Sequence, residues 1–273
     1  MTADTPEPSS PIGVFDSGIG GLTVVRSLLR CLPRERIFYF GDTARVPYGV
    51  RSASTIGSYA TEVASFLLQR KVKLLIIACN TIAAVASSAV KRVAGVPVLD
   101  VINAGAHQAL RATRNGLIGI IGTPATVNSR AYETILQSAR PDVRTFSRTC
   151  RLFVPLAEEG WFNHPITKLV AQEYLHPLFA EGIDTLILGC THYPLLKPLI
   201  GEVAGPDIAL IDSADAMAER ADRLLERAGL GNPSTSPPEH RFYITDLPDR
   251  FQTIGENFLG QPLQNLEVVR LGR

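Results

Sequence analysis

Several features that define common protein classes are scarce in this sequence of 273 residues. The four cysteines, Cys31, Cys79, Cys150 and Cys190, are far apart and form no CxxC pair, which argues against a zinc ribbon and against a disulfide-framed secreted domain. The five histidines form no local cluster of ligands, so a metal centre is not indicated. We therefore expect free thiols in a reducing compartment and no bound metal.

A charge excess and long apolar runs are also missing. The 27 Lys and Arg against 26 Asp and Glu give a formal net charge of +1, so no nucleic-acid surface is expected. No stretch approaches the about 20 consecutive apolar residues of a membrane span. Residues 1–10 lack the features of a signal peptide and are rich in Pro, Ser and Thr, which predicts a disordered leader. We expect a cytoplasmic protein that binds a small molecule and contacts neither nucleic acid nor a membrane.

Two of the cysteines follow short apolar runs of the kind that predicts strands buried on both faces. Residues 185–189 (TLILG) precede Cys190, and residues 74–78 (LLIIA) precede Cys79. Polar residues able to cap a helix follow the first of these thiols in the chain. In open α/β sheets, ligands bind outside the carboxyl ends of the strands, so both thiols are predicted to lie at a binding site.

Strands alternate with helical segments along the chain, which predicts doubly wound parallel sheets. The pattern restarts at Ile118, where IGIIGTPAT resembles IGVFDSGIG from Ile12, and this offset nearly equals the one between Cys79 and Cys190. We therefore predict an α/β fold of two pseudo-symmetric doubly wound parallel-sheet domains with the active site in the cleft between them. A chance similarity between two α/β openings is the alternative explanation of so short a match.

A glycine-rich turn, DSGIGG at residues 16–21, follows the first predicted strand. Its glycines lack the spacing of the dinucleotide-binding fingerprint. We interpret the segment as a turn and not as a nucleotide site.

Two thiols that face each other across a cleft can act as base and acid on opposite faces of one carbon. Removing a proton from one face and returning one to the other inverts a stereocentre. A helix amino terminus favours a thiolate, so the pKa of such a thiol is expected to fall from about 8.5 toward neutrality. Hydroxyl and amide groups suited to carboxylate binding are present at Ser17, Asn80, Thr81, Thr123 and Thr191. The side chains able to relay protons are Asp16, Glu158 and His192.

Six segments of the chain closely resemble the glutamate racemase family of bacterial cell-wall synthesis. They are GVFDSGIGGLTV from Gly13, FGDTARVPYG from Phe40, ACNT from Ala78, VPLAEEG from Val154, LGCTHYPLL from Leu188 and LIDSADA from Leu210. The likeness runs in matching order from Ile12 to about Leu259, and the pair formed by ACNT and GCTHYPLL is specific.

The resemblance implies a cofactor-independent enzyme that interconverts L- and D-glutamate and supplies D-glutamate for peptidoglycan. By the same resemblance, Cys79 takes the proton from D-glutamate and Cys190 takes it from L-glutamate. The implied catalytic residues are Cys79, Cys190, Asp16, Glu158 and His192. The implied substrate-binding residues are Asp16, Ser17, Tyr48, Gly49, Asn80, Thr81, Thr191 and His192.

The family fold also implies a domain division. Residues 11–101 and 210–273 would form a first, discontinuous domain after the leader, and residues 102–209 would form the second. We expect the protein to assemble as a homodimer.

Three alternative functions remain open. A two-thiol racemase of the same fold could act on aspartate or on a hydantoin. A binding protein without catalytic activity could close two α/β lobes on an acidic ligand. A metalloprotein could use Cys190 and His192, but we expect these side chains to point in opposite directions.

Overall fold

The computed structural model describes residues 6–272, apart from the side chains of residues 248 and 250. Within that range the strands are β1 (Ile12–Asp16), β2 (Ile37–Gly41), β3 (Leu74–Ile77), β4 (Val98–Asp100), β5 (Leu117–Gly122), β6 (Arg144–Thr149), β7 (Thr185–Gly189), β8 (Ala209–Asp212), β9 (Arg241–Ile244) and β10 (Leu266–Val268). The helices are α1 (Leu22–Cys31), α2 (Ala53–Leu68), α3 (Asn80–Val93), α4 (Val101–Ala112), α5 (Pro124–Ser129), α6 (Ala131–Ala139), α7 (Phe153–Glu158), α8 (Pro165–Phe179), α9 (Lys197–Ala204), α10 (Ser213–Ala228) and α11 (Pro248–Leu259). Short 3₁₀ helices cover Thr43–Arg45, Tyr48–Val50 and Tyr193–Leu196.

The strands form two sheets in which every described pairing is parallel. The first sheet has the order β10-β9-β2-β1-β3-β4, and the second has the order β6-β5-β7-β8. The run β2-β1-β3-β4 has the same arrangement as the whole second sheet, so β1 corresponds to β5 and β3 corresponds to β7. The predicted fold of two pseudo-symmetric doubly wound parallel sheets is confirmed.

The central strands are buried on both faces, as their apolar runs predict. All residues of β1, β2, β3 and β7 are buried. Burying one Val, Leu, Ile or Phe side chain stabilises the fold by about 1.5–3 kcal/mol, so these strands supply much of the core. Polar residues follow their carboxyl ends, where the chain leaves the buried layer.

Helix α10 carries the chain from the second sheet back toward the first. The Asp212 side chain caps its start by accepting a hydrogen bond from the backbone N–H of Ala214 at 2.9 Å, and Gly229 ends it with a positive φ of 64°. The helix packs against α1 and α4. Among the described helices, none combines the length and apolar composition needed to cross a membrane.

The sheet pairing places one strand differently from the predicted domain boundary. The division into 11–101 plus 210–273 and 102–209 cuts strand β8, whose residues pair with β7 in the second sheet. The chain therefore returns toward the first sheet only after Asp212. As a statement about independent domains, the division stays a prediction.

The first half of the predicted disordered leader, residues 1–5, lies outside the described residues. Residues 6–10 form a turn in which the backbone N–H of Ser10 donates to the Glu7 carbonyl at 3.0 Å. The fully buried Lys73 ammonium donates to the carbonyl oxygens of Pro8 at 2.6 Å and Leu230 at 2.7 Å. Glu35 lies 2.6 Å from the same ammonium. Because Lys73 directly precedes β3, this buried cation fixes the turn to the first sheet.

Candidate active site

A cavity of about 420 Å³ lies between the two halves of the molecule, at the carboxyl ends of strands from both sheets. All residues that the sequence predicts for catalysis or substrate binding line it, together with Thr123: Asp16, Ser17, Tyr48, Gly49, Cys79, Asn80, Thr81, Glu158, Cys190, Thr191 and His192. A volume of this size suits a small-molecule ligand. The structure thus brings the predicted residues together, while their individual roles stay predictions.

Cys79 lies in a buried, acidic corner of this cavity. It is the N-cap residue of α3, and its Sγ lies 3.5 Å from the Ser17 hydroxyl. Burial raises the pKa of Asp16, although its Oδ2 accepts a hydrogen bond from the Gly18 N–H at 2.9 Å. Burial and the charge of Asp16 raise the pKa of Cys79 to about 12. The expected fall in the pKa of this thiol is therefore wrong, because desolvation outweighs the helix amino terminus.

Cys190 follows β7 and has a basic partner instead. Its Sγ lies 3.9 Å from Nδ1 of His192, and Nε2 of His192 lies 3.1 Å from Oε1 of Glu158. Burial lowers the pKa of His192, but its hydrogen bonds to Cys190 and Glu158 outweigh this and raise it to about 10. At neutral pH the imidazole is therefore protonated and places a positive charge beside Cys190.

The expectation that Cys190 and His192 point in opposite directions is wrong. Residues two apart on an extended segment share a face, so even a continued strand would not separate the two side chains. In the structure the chain leaves the strand at Gly189 and adopts helical angles at His192 (φ −81°, ψ −28°), and Nδ1 of the imidazole lies 3.9 Å from the thiol sulfur. Between residues 6 and 272, no group of three or more His, Cys, Asp or Glu is arranged to hold a metal ion.

The glycine-rich turn after β1 allows the second half of the molecule to approach closely. A Cβ atom on Gly20 would collide with Oγ1 of Thr191 and come within 2.7 Å of the His192 ring. The Thr23 hydroxyl donates to the Thr191 carbonyl at 3.0 Å, so α1 holds the loop that carries His192. From α11, Phe258 packs edge-on against the His192 ring with centroids 5.1 Å apart. Gly20 therefore serves close packing between the two halves.

Two polar atoms of cavity-lining residues are buried and have no hydrogen-bond partner within residues 6–272. They are the Asp16 Oδ1 oxygen, which is an acceptor, and the Asn80 Nδ2 nitrogen, which is a donor. Buried polar groups are nearly always paired in native structures. A ligand with an ammonium group and a carboxylate would satisfy both atoms.

Tyr48 is held at the cavity wall by a buried acid. Its hydroxyl donates a short hydrogen bond to Oδ2 of Asp42, a fully buried residue. The same carboxylate accepts hydrogen bonds from Nε of Arg45 at 2.6 Å and from the Thr245 hydroxyl at 3.0 Å. Because its hydroxyl is hydrogen-bonded to Asp42, Tyr48 contributes its ring to the cavity. The neighbouring Gly49 contributes its backbone.

Several lining residues escape the sequence analysis. Three apolar ones, Leu247, Phe251 and Ile254, come from α11 and the loop before it. That segment appears only as a closing amphipathic stretch in the sequence, and no local signal connects it with the two thiols earlier in the chain. Arg151 is a second omission, although a cation beside the VPLAEEG segment is a visible signal for a site that binds carboxylates.

Comparisons with known proteins agree with this geometry. Residues 12–221 match the model of the Asp/Glu/Hydantoin racemase family. A glutamate racemase of Syntrophus aciditrophicus is 59% identical over 99% of this chain and 100% of its own length. One from Neisseria meningitidis serogroup A is 55% identical over 96% of this chain and 97% of its own length.

Solved structures show the same likeness. Glutamate racemase from Francisella tularensis, in complex with D-glutamate, superposes with a TM-score of 0.90 at 46% identity and covers 97% of this chain and 98% of its own. The RacE1 isoform of glutamate racemase from Bacillus anthracis gives a TM-score of 0.93 at 38% identity, with coverage of 97% and 99%. The chain therefore belongs to the Asp/Glu/Hydantoin racemase family.

Proposed function

We propose that this protein interconverts L- and D-glutamate without a cofactor, by moving protons between the α-carbon of the substrate and two cysteines. The observation that carries the proposal is the placement of Cys79 and Cys190. They follow topologically equivalent strands, line one cavity, and have different acid–base partners. The relatives named glutamate racemase, one of them solved with D-glutamate, favour glutamate over aspartate or a hydantoin.

The two thiols suit opposite halves of the reaction. With a pKa of about 12, Cys79 keeps its proton at neutral pH and can act as the acid. The protonated His192 places a positive charge beside Cys190, which can act as the base. Starting from L-glutamate, Cys190 removes the α-proton, and Cys79 donates its own proton to the other face of the carbon. When D-glutamate dissociates, Cys79 is a thiolate and Cys190 is a thiol. The site in this protonation state can react with D-glutamate in the reverse direction.

The same cavity offers groups that can hold the substrate while charge develops on the α-carbon. Oδ1 of Asp16 suits the ammonium group and Nδ2 of Asn80 suits a carboxylate oxygen. The hydroxyls of Thr81 and Thr123 lie 3.2 Å apart at the cavity wall, where they form a hydrogen-bonded pair that can donate to a carboxylate. Donors fixed before the reaction stabilise the carbanion without the cost of reorganising solvent.

The biological setting is part of the proposal. D-Glutamate made by this reaction would supply peptidoglycan synthesis, as the family resemblance implies. The protein would act in the cytoplasm as a homodimer, and light scattering coupled to size-exclusion chromatography measures that assembly.

The direct test is circular dichroism of the purified protein with L-glutamate and, separately, with D-glutamate, with no cofactor added. The signal is expected to decay toward zero from both sides, because the equilibrium constant of a racemisation is one. Parallel reactions with L-aspartate and with a hydantoin are expected to be much slower.

Two results would contradict the proposal in different ways. If aspartate or the hydantoin racemises faster than glutamate, the site belongs to another racemase of the family. If neither enantiomer changes while glutamate still raises the melting temperature, the protein is a binding protein.

A further inference from the structure

We propose that Tyr132 is a positioning residue that fixes the orientation of the Asn80 amide, so that its Nδ2 group points at a substrate carboxylate. Tyr132 does not line the cavity, and it lies in helix α6 of the second half, whereas Asn80 begins α3 in the first half. The inference deepens the proposed function and rests on it.

The geometry of the Asn80 amide supports this role. Asn80 is 2% exposed, and its Oδ1 accepts a hydrogen bond from the Tyr132 hydroxyl at 2.8 Å. Its Nδ2 is buried and has no hydrogen-bond partner among the described residues. An amide can flip to exchange its oxygen and nitrogen, and a phenol can donate or accept. In the flipped orientation the phenol proton of Tyr132 would have no acceptor among the described residues, so the hydroxyl donates to Oδ1 and leaves the donor end of the amide for the cavity.

The surroundings of Tyr132 hold its ring in place. The side chain is 1% exposed. A Cβ atom on Gly105 of α4 would lie 3.3 Å from the phenolic oxygen, and one on Gly189 would lie 3.2 Å from the ring. These two glycines leave just enough room for the ring, and Gly189 directly precedes Cys190. The ring is therefore packed between α4 and the end of the strand that carries the second thiol.

The phenol remains a hydrogen-bond donor under all physiological conditions. Burial raises its pKa far above the usual value, and negative charges at Asp100, Cys190 and Asp212 act in the same direction. Because the hydroxyl stays protonated, its hydrogen bond to Oδ1 does not switch with pH. The hydrogen bond also joins the two halves of the molecule, so the direction in which the Asn80 Nδ2 group points depends on the relative position of the halves.

The test is a double-mutant cycle with Tyr132→Phe, Asn80→Ala and the double variant. The dissociation constant of D-glutamate is measured by calorimetry, and KM and kcat are measured in both directions. We expect Tyr132→Phe to raise the dissociation constant and KM about tenfold, roughly the effect of one lost buried hydrogen bond, with a smaller change in kcat. In the Asn80→Ala background, Tyr132→Phe should have no further effect.

Tyr193→Phe is the matched control. Tyr193 is also fully buried, and its hydroxyl donates to the Cys150 carbonyl at the same distance, 2.8 Å. It is expected to lower the melting temperature as Tyr132→Phe does, while raising the dissociation constant less than twofold. An equal loss of affinity in both variants would mean that a buried tyrosine acts on the site only through packing, which overturns the proposal.

Asn80→Asp tests the orientation without altering Tyr132. With one oxygen held by Tyr132, the second oxygen would face the substrate carboxylate, so this variant should bind D-glutamate more weakly than Asn80→Ala. Equal or tighter binding overturns the inference, as does an additive effect in the cycle. A wild-type protein that binds glutamate without racemising it contradicts the proposed function alone. One that binds no glutamate contradicts both.

Discussion

Cys79 and Cys190 occupy equivalent places in a duplicated fold but have opposite electrostatic surroundings. Burial and a neighbouring carboxyl group raise the pKa of Cys79, whereas Cys190 lies beside a protonated imidazole held by Glu158. The repeated strand order explains why there are two thiols at one cavity. The loops after the strands, which are not repeated, explain why one thiol keeps its proton and the other has a cationic partner.

This difference shapes what kinetic measurements can show. The equilibrium constant of a racemisation is one, so kcat/KM must be equal in the two directions for the wild type and for every variant. An asymmetry between the two thiols can therefore appear only in kcat and KM taken separately, or in isotope exchange.

The largest effect is expected from Cys79→Ser and Cys190→Ser. Each should reduce racemisation by about 10³-fold or more, because a serine hydroxyl is a far weaker acid and base at neutral pH than a positioned thiol. In heavy water, the two variants should differ. Cys79→Ser keeps the base for L-glutamate and should incorporate deuterium into L-glutamate without inverting it, and Cys190→Ser should do so with D-glutamate.

Proton NMR of the α-hydrogen measures this exchange, and the double variant is the control. Loss of exchange with both enantiomers in each single variant would mean that neither thiol removes a proton unless the other is present. Exchange with the opposite enantiomer would reverse the assignment of the two bases.

A smaller effect, about 10- to 100-fold in kcat, is expected when the partner of one thiol is altered. Glu158→Gln weakens the charge on His192 and should lower kcat for L-glutamate more than kcat for D-glutamate. Asp16→Asn removes the charge that helps to raise the pKa of Cys79, so the Cys79 thiolate becomes a weaker base. This variant should lower kcat for D-glutamate more than kcat for L-glutamate. The measurement is initial rates in both directions over a range of substrate concentrations. Equal changes in kcat for both enantiomers would show that the two partners serve the whole site and not one thiol each.

Much of this arrangement can be predicted from the sequence because it depends on local pattern. Apolar runs followed by a small residue and a thiol fix the strand ends, and the parallel sheet then brings those ends to one edge. The repeated pattern from Ile12 and Ile118 gives the two matching halves. The predicted site residues all line one cavity for this reason.

The remainder depends on distances that the sequence does not contain. The raised pKa of Cys79 follows from how completely the tertiary fold excludes water, which a helix start alone does not reveal. The contact between Cys190 and His192 depends on where the strand ends. Tyr132 and the lining residues of α11 reach the site only through packing across the two halves. Strand β8 pairs with β7 and therefore belongs to the second sheet. The residue pattern near position 210 does not specify this partner.

The smallest expected effect concerns stability and tests the charge on His192 directly. The pKa of His192 is about 10 in the folded protein against an ordinary value of 6.5. A raised pKa stabilises the fold fully below pH 6.5, and this stabilisation is lost as pH rises toward 10. The melting temperature of the wild type should therefore exceed that of His192→Gln by the most near pH 6.5. The gap should narrow at higher pH by at most about 1.4 kcal/mol per pH unit, or a few degrees.

Differential scanning calorimetry of both proteins from pH 6 to pH 10 measures this gap. The raised pKa of Cys79 affects both proteins in the same way, so it cancels in the difference. Glu158→Gln serves as a control. Without the carboxylate the pKa of His192 should fall, so the stabilisation that the charged imidazole provides should be lost at a lower pH than in the wild type. A gap that stays constant or widens between pH 6.5 and 10 would mean that His192 is neutral in the folded protein. In that case, Cys190 has no cationic partner and the electrostatic difference between the two thiols must have another origin.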